Sequence, residues 1–135
     1  MATEILKNEI DYLIVCNHSM IDQFGMLSAI GIFDQINKKK GEDLPFNFYL
    51  VARLLLKSQK GPLKGKKLKI ELFSPTKELM SSREVLLNED LESNAYNINH
   101  RFSAMLLKEE GDYYIEISFE EDLLKKKNIF NVVSL

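Results

Sequence analysis

The chain has 135 residues, of which 45% are hydrophobic and 28% are charged, and its net charge is −2 at neutral pH. This length is the usual size of one domain, and we predict a single domain spanning residues 1–135. The balance of apolar and charged residues is typical of a folded globule that builds a core without disulfides or metals, and it excludes a disordered chain.

Three features of the sequence predict a cytoplasmic protein without membrane contact. No apolar run approaches the roughly 20 residues that a membrane helix needs. Residues 1–11 contain acids and lack the basic and then apolar segments of a signal peptide. Cys16 is the only cysteine, so no internal disulfide can form.

Alternation of apolar and polar residues at a period of two predicts strands along most of the chain. In chain order they are a buried strand at 11–16, an apolar run at 26–36, a strand with Phe46, Phe48, Leu50, Ala52, Leu54 and Leu56 on one face, a strand with Leu68, Ile70 and Leu72, a longer one with Tyr96, Ile98, Phe102, Ala104 and Leu106 on one parity, one with Tyr113, Ile115, Ile117 and Phe119, and a last one at 128–133. Residues 83–92 fit a helix or a strand ending in a loop. Residues 120–127 have acids first and lysines last, which predicts one or two turns of helix. We therefore predict an all-β domain, an antiparallel β-sandwich of about seven to nine strands with one short helix near 120–127.

Gly31 interrupts the apolar run at 26–36. Leu27 and Ala29 share one face before it, whereas Ile32 and Ile36 lie on the opposite parity after it. A positive φ or a β-bulge at the glycine would return the later side chains to the core, and a bulky aromatic neighbour would also require a glycine. Close approach of a ligand is the third alternative. We assign structural roles to Gly31, Phe33, Phe48, Leu50 and Tyr113, and we expect Leu27, Ile70, Leu72, Tyr113, Ile115 and Ile117 to share the core with the face from Phe46 to Leu56.

Opposite charges are concentrated in two segments. Residues 38–69 contain ten basic and two acidic residues, and residues 78–122 contain twelve acidic and three basic residues. If the fold separates the segments, the molecule is a strong dipole that favours self-association. If the fold interleaves them, the charges form solvated pairs that serve solubility.

Candidate catalytic and metal-binding residues are few. Cys16 and His18 are separated by one residue, and Asp22 and His100 are the groups that would complete a metal site. A free cysteine in an apolar strand usually acts as a small buried hydrophobe, and the chain shows no dense ligand spacing. A Cys16–His100 nucleophile pair requires the fold to bring the two together. We expect neither a metal site nor a catalytic one.

The segment 57–69 is the strongest candidate for binding phosphate. It has six lysines, no acid before Glu71, and two glycines; the candidate ligand residues are Lys57, Lys60, Lys64, Lys66 and Lys67. The spacing of the two glycines is one residue too short for a phosphate loop, and no Ser or Thr follows the lysine. Nucleic-acid binding is disfavoured because the chain is slightly acidic and the segment lacks arginine and aromatic residues. The alternative is a solvated hairpin whose lysines protect an edge strand.

Residues 27–34, LSAIGIFD, together with DYLIVCNHSMIDQFG before them and PFNFYLVARL after them, resemble an uncharacterised bacterial family, a domain of unknown function. The strand Leu-Ser-x-Ile-Gly-Ile-Phe-Asp is its most specific feature, and the resemblance continues through KIELFSPTKE and GDYYIEISFE. It implies a β-sandwich and brings no activity or cofactor. This chain departs from the family in the Lys-rich loop 57–69 and in KEEGD.

We expect a binding or assembly module without a cofactor. The alternative is a domain that binds a small molecule or a phosphorylated ligand, and an enzyme comes last. The expected partner is a second copy, giving a homodimer, or another protein. The candidate edge strands are 10–16 and 128–134, and residues 128–135 carry no charge, so we predict that the C-terminal strand pairs with another chain across a two-fold axis. In the alternative arrangement, residues 128–134 form a central strand of their own sandwich.

Overall fold

A computed structural model describes residues 8–24, 26–41, 43–56, 65–87 and 95–134. These residues form nine strands: β1 (Glu9–Ile21), β2 (Leu27–Ile32), β3 (Gln35–Lys38), β4 (Leu44–Leu55), β5 (Lys67–Phe73), β6 (Leu79–Leu86), β7 (Ala95–Leu107), β8 (Gly111–Phe119) and β9 (Asp122–Ser134). One sheet has the order β2-β1-β4-β7, and the other has the order β3-β9-β8-β5-β6. Every pairing is antiparallel except that of β3 with β9. The predicted β-sandwich is confirmed.

The core lies between the two sheets and is centred on Phe48. Its ring stacks on Phe102 at 4.8 Å and meets Phe130 edge to face at 5.3 Å. The predicted inner face of β4 is confirmed from Phe48 to Leu56, and Phe46 packs half-buried against it. The core also contains the residues predicted on β5 and β8: Ile70, Leu72, Tyr113, Ile115 and Ile117. The prediction for Leu27 is wrong, because β2 is an edge strand and Leu27 lies outside the core cluster.

The apolar run at 26–36 contributes to both sheets. β2 pairs with β1 in the first sheet, and β3 pairs with β9 in the second. Phe33 lies at the crossing between them, where its ring contacts Phe46 at 5.5 Å and Phe130 at 5.9 Å. Gly31 has a φ of +71°, which confirms one of the predicted alternatives. The later side chains reach the core by this change of sheet, so Ile36 is buried while Ile32 remains 63% exposed.

A β-bulge changes the inward-facing parity of β7. The register with β4 shifts between Phe46 and Phe48, and Ala104 adopts a φ of 52° while its N–H donates to the Asn47 side-chain oxygen at 2.6 Å. Beyond the bulge, Leu107 is buried and Leu106 is exposed. The prediction that Ala104 and Leu106 continue the inner face is therefore wrong.

The predicted helix at 120–127 is also wrong. Phe119 pairs with Asp122, so Glu120 and Glu121 form a two-residue hairpin turn between β8 and β9. Both glutamates have positive φ, 49° and 74°, which are the dihedrals of a type I′ turn. The lysines that follow lie on β9 and pair with β8.

The C-terminal strand is internal. β9 pairs with β8 on one side, and its residues Asn131–Ser134 pair with β3 on the other. The predicted edge strand at 128–134 is therefore wrong, and the alternative of a strand inside its own sandwich holds. Residues 10–16 are not an edge strand either, because β1 lies between β2 and β4.

Tyr113 fixes the corner between β7 and β8. Its buried hydroxyl donates to the Glu109 carbonyl oxygen at 2.8 Å and accepts the Glu109 N–H at 3.2 Å. Its ring stacks on Phe130 at 5.1 Å. A tyrosine near the start of a strand that bonds backbone a few residues upstream is a recurrent corner device of β-sandwiches.

Candidate functional site

The distal half of β1 and the edge strand β2 form a hairpin with a fixed tip. The Asp22 carboxylate accepts hydrogen bonds from the N–H groups of Phe24 and Met26 at 2.8 and 2.9 Å, and the Asp22 N–H donates to the Met26 carbonyl oxygen. On the strand, the Ser19 hydroxyl donates to the Asn99 side-chain oxygen of β7. The hairpin is therefore tied to the sheet at one end and closed by an Asx turn at the other.

This hairpin exposes a cluster of large apolar side chains. Six of the eleven exposed large hydrophobic residues among the described positions lie on it, and we call them the apolar edge: Met20, Ile21, Phe24, Met26, Ile30 and Ile32. Phe24 at the tip is 78% exposed. Scattered apolar residues are normal on protein surfaces, but their concentration on one hairpin is typical of an interaction site.

The charge of the four edge strands distinguishes β2 from the others. β3 has Lys38, β6 has Arg83 and Glu84, and β7 has Arg101, whereas β2 has no charged residue. Charged side chains on edge strands, above all those that point inward, oppose pairing with another chain. Lys38 is an example, because it is buried and its Nζ donates to the Leu107 and Lys108 carbonyl oxygens at 3.3 and 2.8 Å. Among these edges, β2 alone is unprotected.

The predicted lysine site is described only in part. Lys57, Lys60 and Lys64 lie outside the described residues. Lys66 pairs with Glu120 of the β8–β9 turn at 3.9 Å, and Lys67 pairs with Glu84 of the neighbouring strand β6 at 3.7 Å, so both lysines have an acidic partner. A depression of about 540 Å³ beside Lys67 is lined by four glutamates as well as two lysines. In the described part, these two ion pairs join the basic segment to the acidic one, as in the alternative of solvated pairs.

The structure separates the other candidate residues. Cys16 pairs with Tyr49 and His100 pairs with Leu50, and successive residues of β4 point to opposite faces of the sheet. Cys16 is fully buried, and burial raises the pKa of its thiol. His18 packs edge to face on Tyr49 at 5.6 Å. No group of three or more His, Cys, Asp or Glu residues in the described part of the chain is arranged to hold a metal ion.

A groove of about 320 Å³ lies between β6 and β7, which are edge strands of different sheets. Its apolar floor includes the buried residues Leu68, Ile70 and Ile98, and its polar lining includes Arg83, Asn99, His100 and Arg101. Burial and then the positive charge of Arg83 lower the pKa of His100. Sequence reasoning identified the histidine but missed the groove, because its residues come from three strands and form no motif.

The fold and the apolar edge together define a two-sheet β-sandwich domain with one unprotected edge strand. A family model described as a family of unknown function, DUF6941, matches residues 11–131, and the chain belongs to this family. The resemblance noted in the sequence is thereby confirmed. No curated protein matches the chain.

The solved structures that are similar to the chain include the following two. The first is the alkylpurine DNA glycosylase AlkC of Pseudomonas fluorescens bound to DNA containing an abasic site analog, with a TM-score of 0.56 and 12% identity over 96% of this chain. This chain spans only 31% of the length of that enzyme, and at such identity the likeness concerns the fold. The second is an immunoglobulin-like protein from Pseudomonas aeruginosa, with a TM-score of 0.48 and 13% identity over 94% of this chain and 97% of that one.

No helix in the described residues has the length and apolar character to cross a membrane.

Proposed function

We propose that the chain is a cytoplasmic, non-enzymatic assembly module, and that its apolar edge pairs with the apolar edge of a second copy to give a homodimer. The observation that carries the proposal is the coincidence of two features on β2. It is the one edge strand without a charged residue, and the exposed apolar side chains of the described chain are concentrated around it.

A second copy fits this edge because the surface is self-complementary. Antiparallel pairing of β2 with its own copy obeys a two-fold axis, so each subunit contributes the same residues. From Gln23 to Phe33 the sequence has no charged residue, so pairing two copies places no like charges opposite one another. The result is one continuous sheet formed from two four-stranded sheets.

The fixed hairpin tip supports the same arrangement. Because the Asp22 carboxylate accepts hydrogen bonds from the N–H groups of Phe24 and Met26, the backbone of the turn is ordered before a partner binds. Side chains and loops that are ordered in advance lose less conformational entropy on association, which favours affinity.

The test is the oligomeric state of the full chain, measured by light scattering at micromolar concentration. Ile30→Lys places a charge on β2, and Leu86→Lys is the matched control, because each residue is 60% exposed on an edge strand. We expect the native chain and Leu86→Lys to be dimers and Ile30→Lys to be a monomer with an unchanged circular dichroism spectrum.

Two outcomes would overturn the proposal. A native chain that is monomeric throughout the concentration range would exclude a homodimer and leave a different protein as the partner. A dimer that persists in Ile30→Lys but dissociates in Leu86→Lys would place the interface on β6.

A further inference from the structure

The groove between β6 and β7 combines an apolar floor with cationic walls, and it lies outside the apolar edge. Leu68, Ile70 and Ile98 beneath it are each no more than 3% exposed. Its volume of about 320 Å³ falls at the lower end of the range for small-molecule pockets. A ligand that fills it must therefore be small and must have an apolar part.

Two of the three arginines of the chain line this groove. Arg83 lies opposite Ile70 on the inward parity of β6. Arg101 is on the outward parity of β7 and lines the rim of the groove. Neither forms an ion pair with any residue that the structure describes, whereas the third, Arg53, lies 4.0 Å from the Asp11 carboxylate. No carboxylate is among the lining residues.

His100 lies near Arg83 in the groove and is half-buried against Phe102, with ring centroids 4.6 Å apart. Burial and the Arg83 charge lower the pKa of its imidazole, so the neutral form predominates near neutral pH. A neutral imidazole offers one hydrogen-bond donor and one acceptor without adding a third positive charge.

We propose that this groove binds a small carboxylate with an apolar body, held by Arg83 at its charged end, with Arg101 at the rim of the groove, and by the aliphatic floor at its other end. Guanidinium groups match the geometry of carboxylates and form paired, charge-assisted hydrogen bonds with them. The apolar floor selects a carboxylate with an aliphatic or aromatic body over a small, fully hydrated anion, because only the former removes apolar surface from water.

The test is a titration of the full chain with 4-phenylbutyrate, followed by amide chemical shifts. A ligand of this size is expected to bind with a dissociation constant on the order of 1 mM. Shift changes should cluster on β6 and β7. Arg83→Gln should weaken binding about tenfold, since a charge-assisted pair is lost. Arg53→Gln is the matched control and should bind as the native chain does.

The neutral amide of the same acid and inorganic phosphate are the comparison ligands. We expect neither to produce the shift changes on β6 and β7. Equal binding of phosphate would overturn the carboxylate assignment, and equal binding of the neutral amide would remove the role of the arginines. Unweakened binding by Arg83→Gln, or no shift change with native protein at several times the expected dissociation constant, would overturn the site itself. Because the groove is remote from β2, none of these results depends on the homodimer.

Discussion

Gly31 of β2 faces Asn17 of β1 so closely that a Cβ atom built on the glycine would lie 2.6 Å from the Asn17 side-chain nitrogen. The glycine also has a φ of +71°, where L-residues are strained. Space and backbone conformation therefore both require glycine at this position.

We predict that Gly31→Val destabilises the protein by about 1–3 kcal/mol. Gly41→Ala provides the control, because Gly41 has a similar φ of +78° but no atom within 4 Å of a built Cβ. Comparing Gly31→Ala with Gly41→Ala in urea melts separates the contact with Asn17 from the backbone strain. Equal losses in the two alanine variants would show that the contact with Asn17 is unimportant.

The period-two alternation predicted the strands that have one buried and one exposed face, because burial of one face makes apolar residues recur at every second position. It predicted β4, β5 and β8 residue by residue in this way. It did not predict where an apolar strand lies in its sheet, since Leu27 and Ile32 on the edge strand are residue types that the core also contains. For the same reason, the apolar edge could not be distinguished from core in the sequence.

Local backbone conformations that leave no signature in the sequence account for the remaining wrong predictions. Ala104 adopts a positive φ at a bulge where glycine or asparagine would have signalled it. The Glu120–Glu121 turn has no turn-forming residue, and its acids followed by lysines imitate a helix. The groove between β6 and β7 depends on strand order alone, which no local pattern encodes.

The buried hydroxyl of Tyr113 gives a prediction about stability. Its two hydrogen bonds to the Glu109 backbone hold the corner before β8, and Tyr113→Phe leaves these half-buried backbone groups without their partner. We expect a loss of about 1–3 kcal/mol in denaturant melts. The control is Tyr114→Phe, because the neighbouring ring stacks on Phe73 at 5.0 Å and its hydroxyl has no hydrogen bond in the described structure. Equal losses of unfolding free energy in the two variants would show that the hydrogen bonds of the Tyr113 hydroxyl do not stabilise the corner.

The turn between β8 and β9 gives a prediction of increased stability. Because Glu120 and Glu121 both have positive φ, replacing them with Asn-Gly relieves backbone strain in a type I′ turn. We expect Glu120→Asn with Glu121→Gly to raise the free energy of unfolding by about 1–2 kcal/mol. Glu120→Gln with Glu121→Gln removes the same charges and keeps the strain, so it should leave stability nearly unchanged. A gain in the glutamine variant equal to that in the Asn-Gly variant would attribute the effect to charge.

His100 gives a prediction about pH. Burial and then Arg83 lower the pKa of this imidazole in the folded state, whereas in the unfolded chain it returns to about 6.5. Between the two values the unfolded chain binds more protons, so stability falls as the pH drops through this window and is unaffected above it. The charged side chains that line the groove with His100 are Arg83 and Arg101.

We therefore expect His100→Gln to lose less unfolding free energy than the native chain when the pH falls from about 7.5 to about 5. Arg83→Gln should raise the pKa of His100 towards its ordinary value, because it removes the neighbouring positive charge. The pKa is measured by an NMR titration of the imidazole, whose signal is assigned with the variant His18→Gln. Arg53→Gln is the control, because it removes an arginine that lies outside the groove. An unchanged pKa in Arg83→Gln, with the fold preserved, would mean that burial alone lowers it and that the arginine does not face the imidazole in solution.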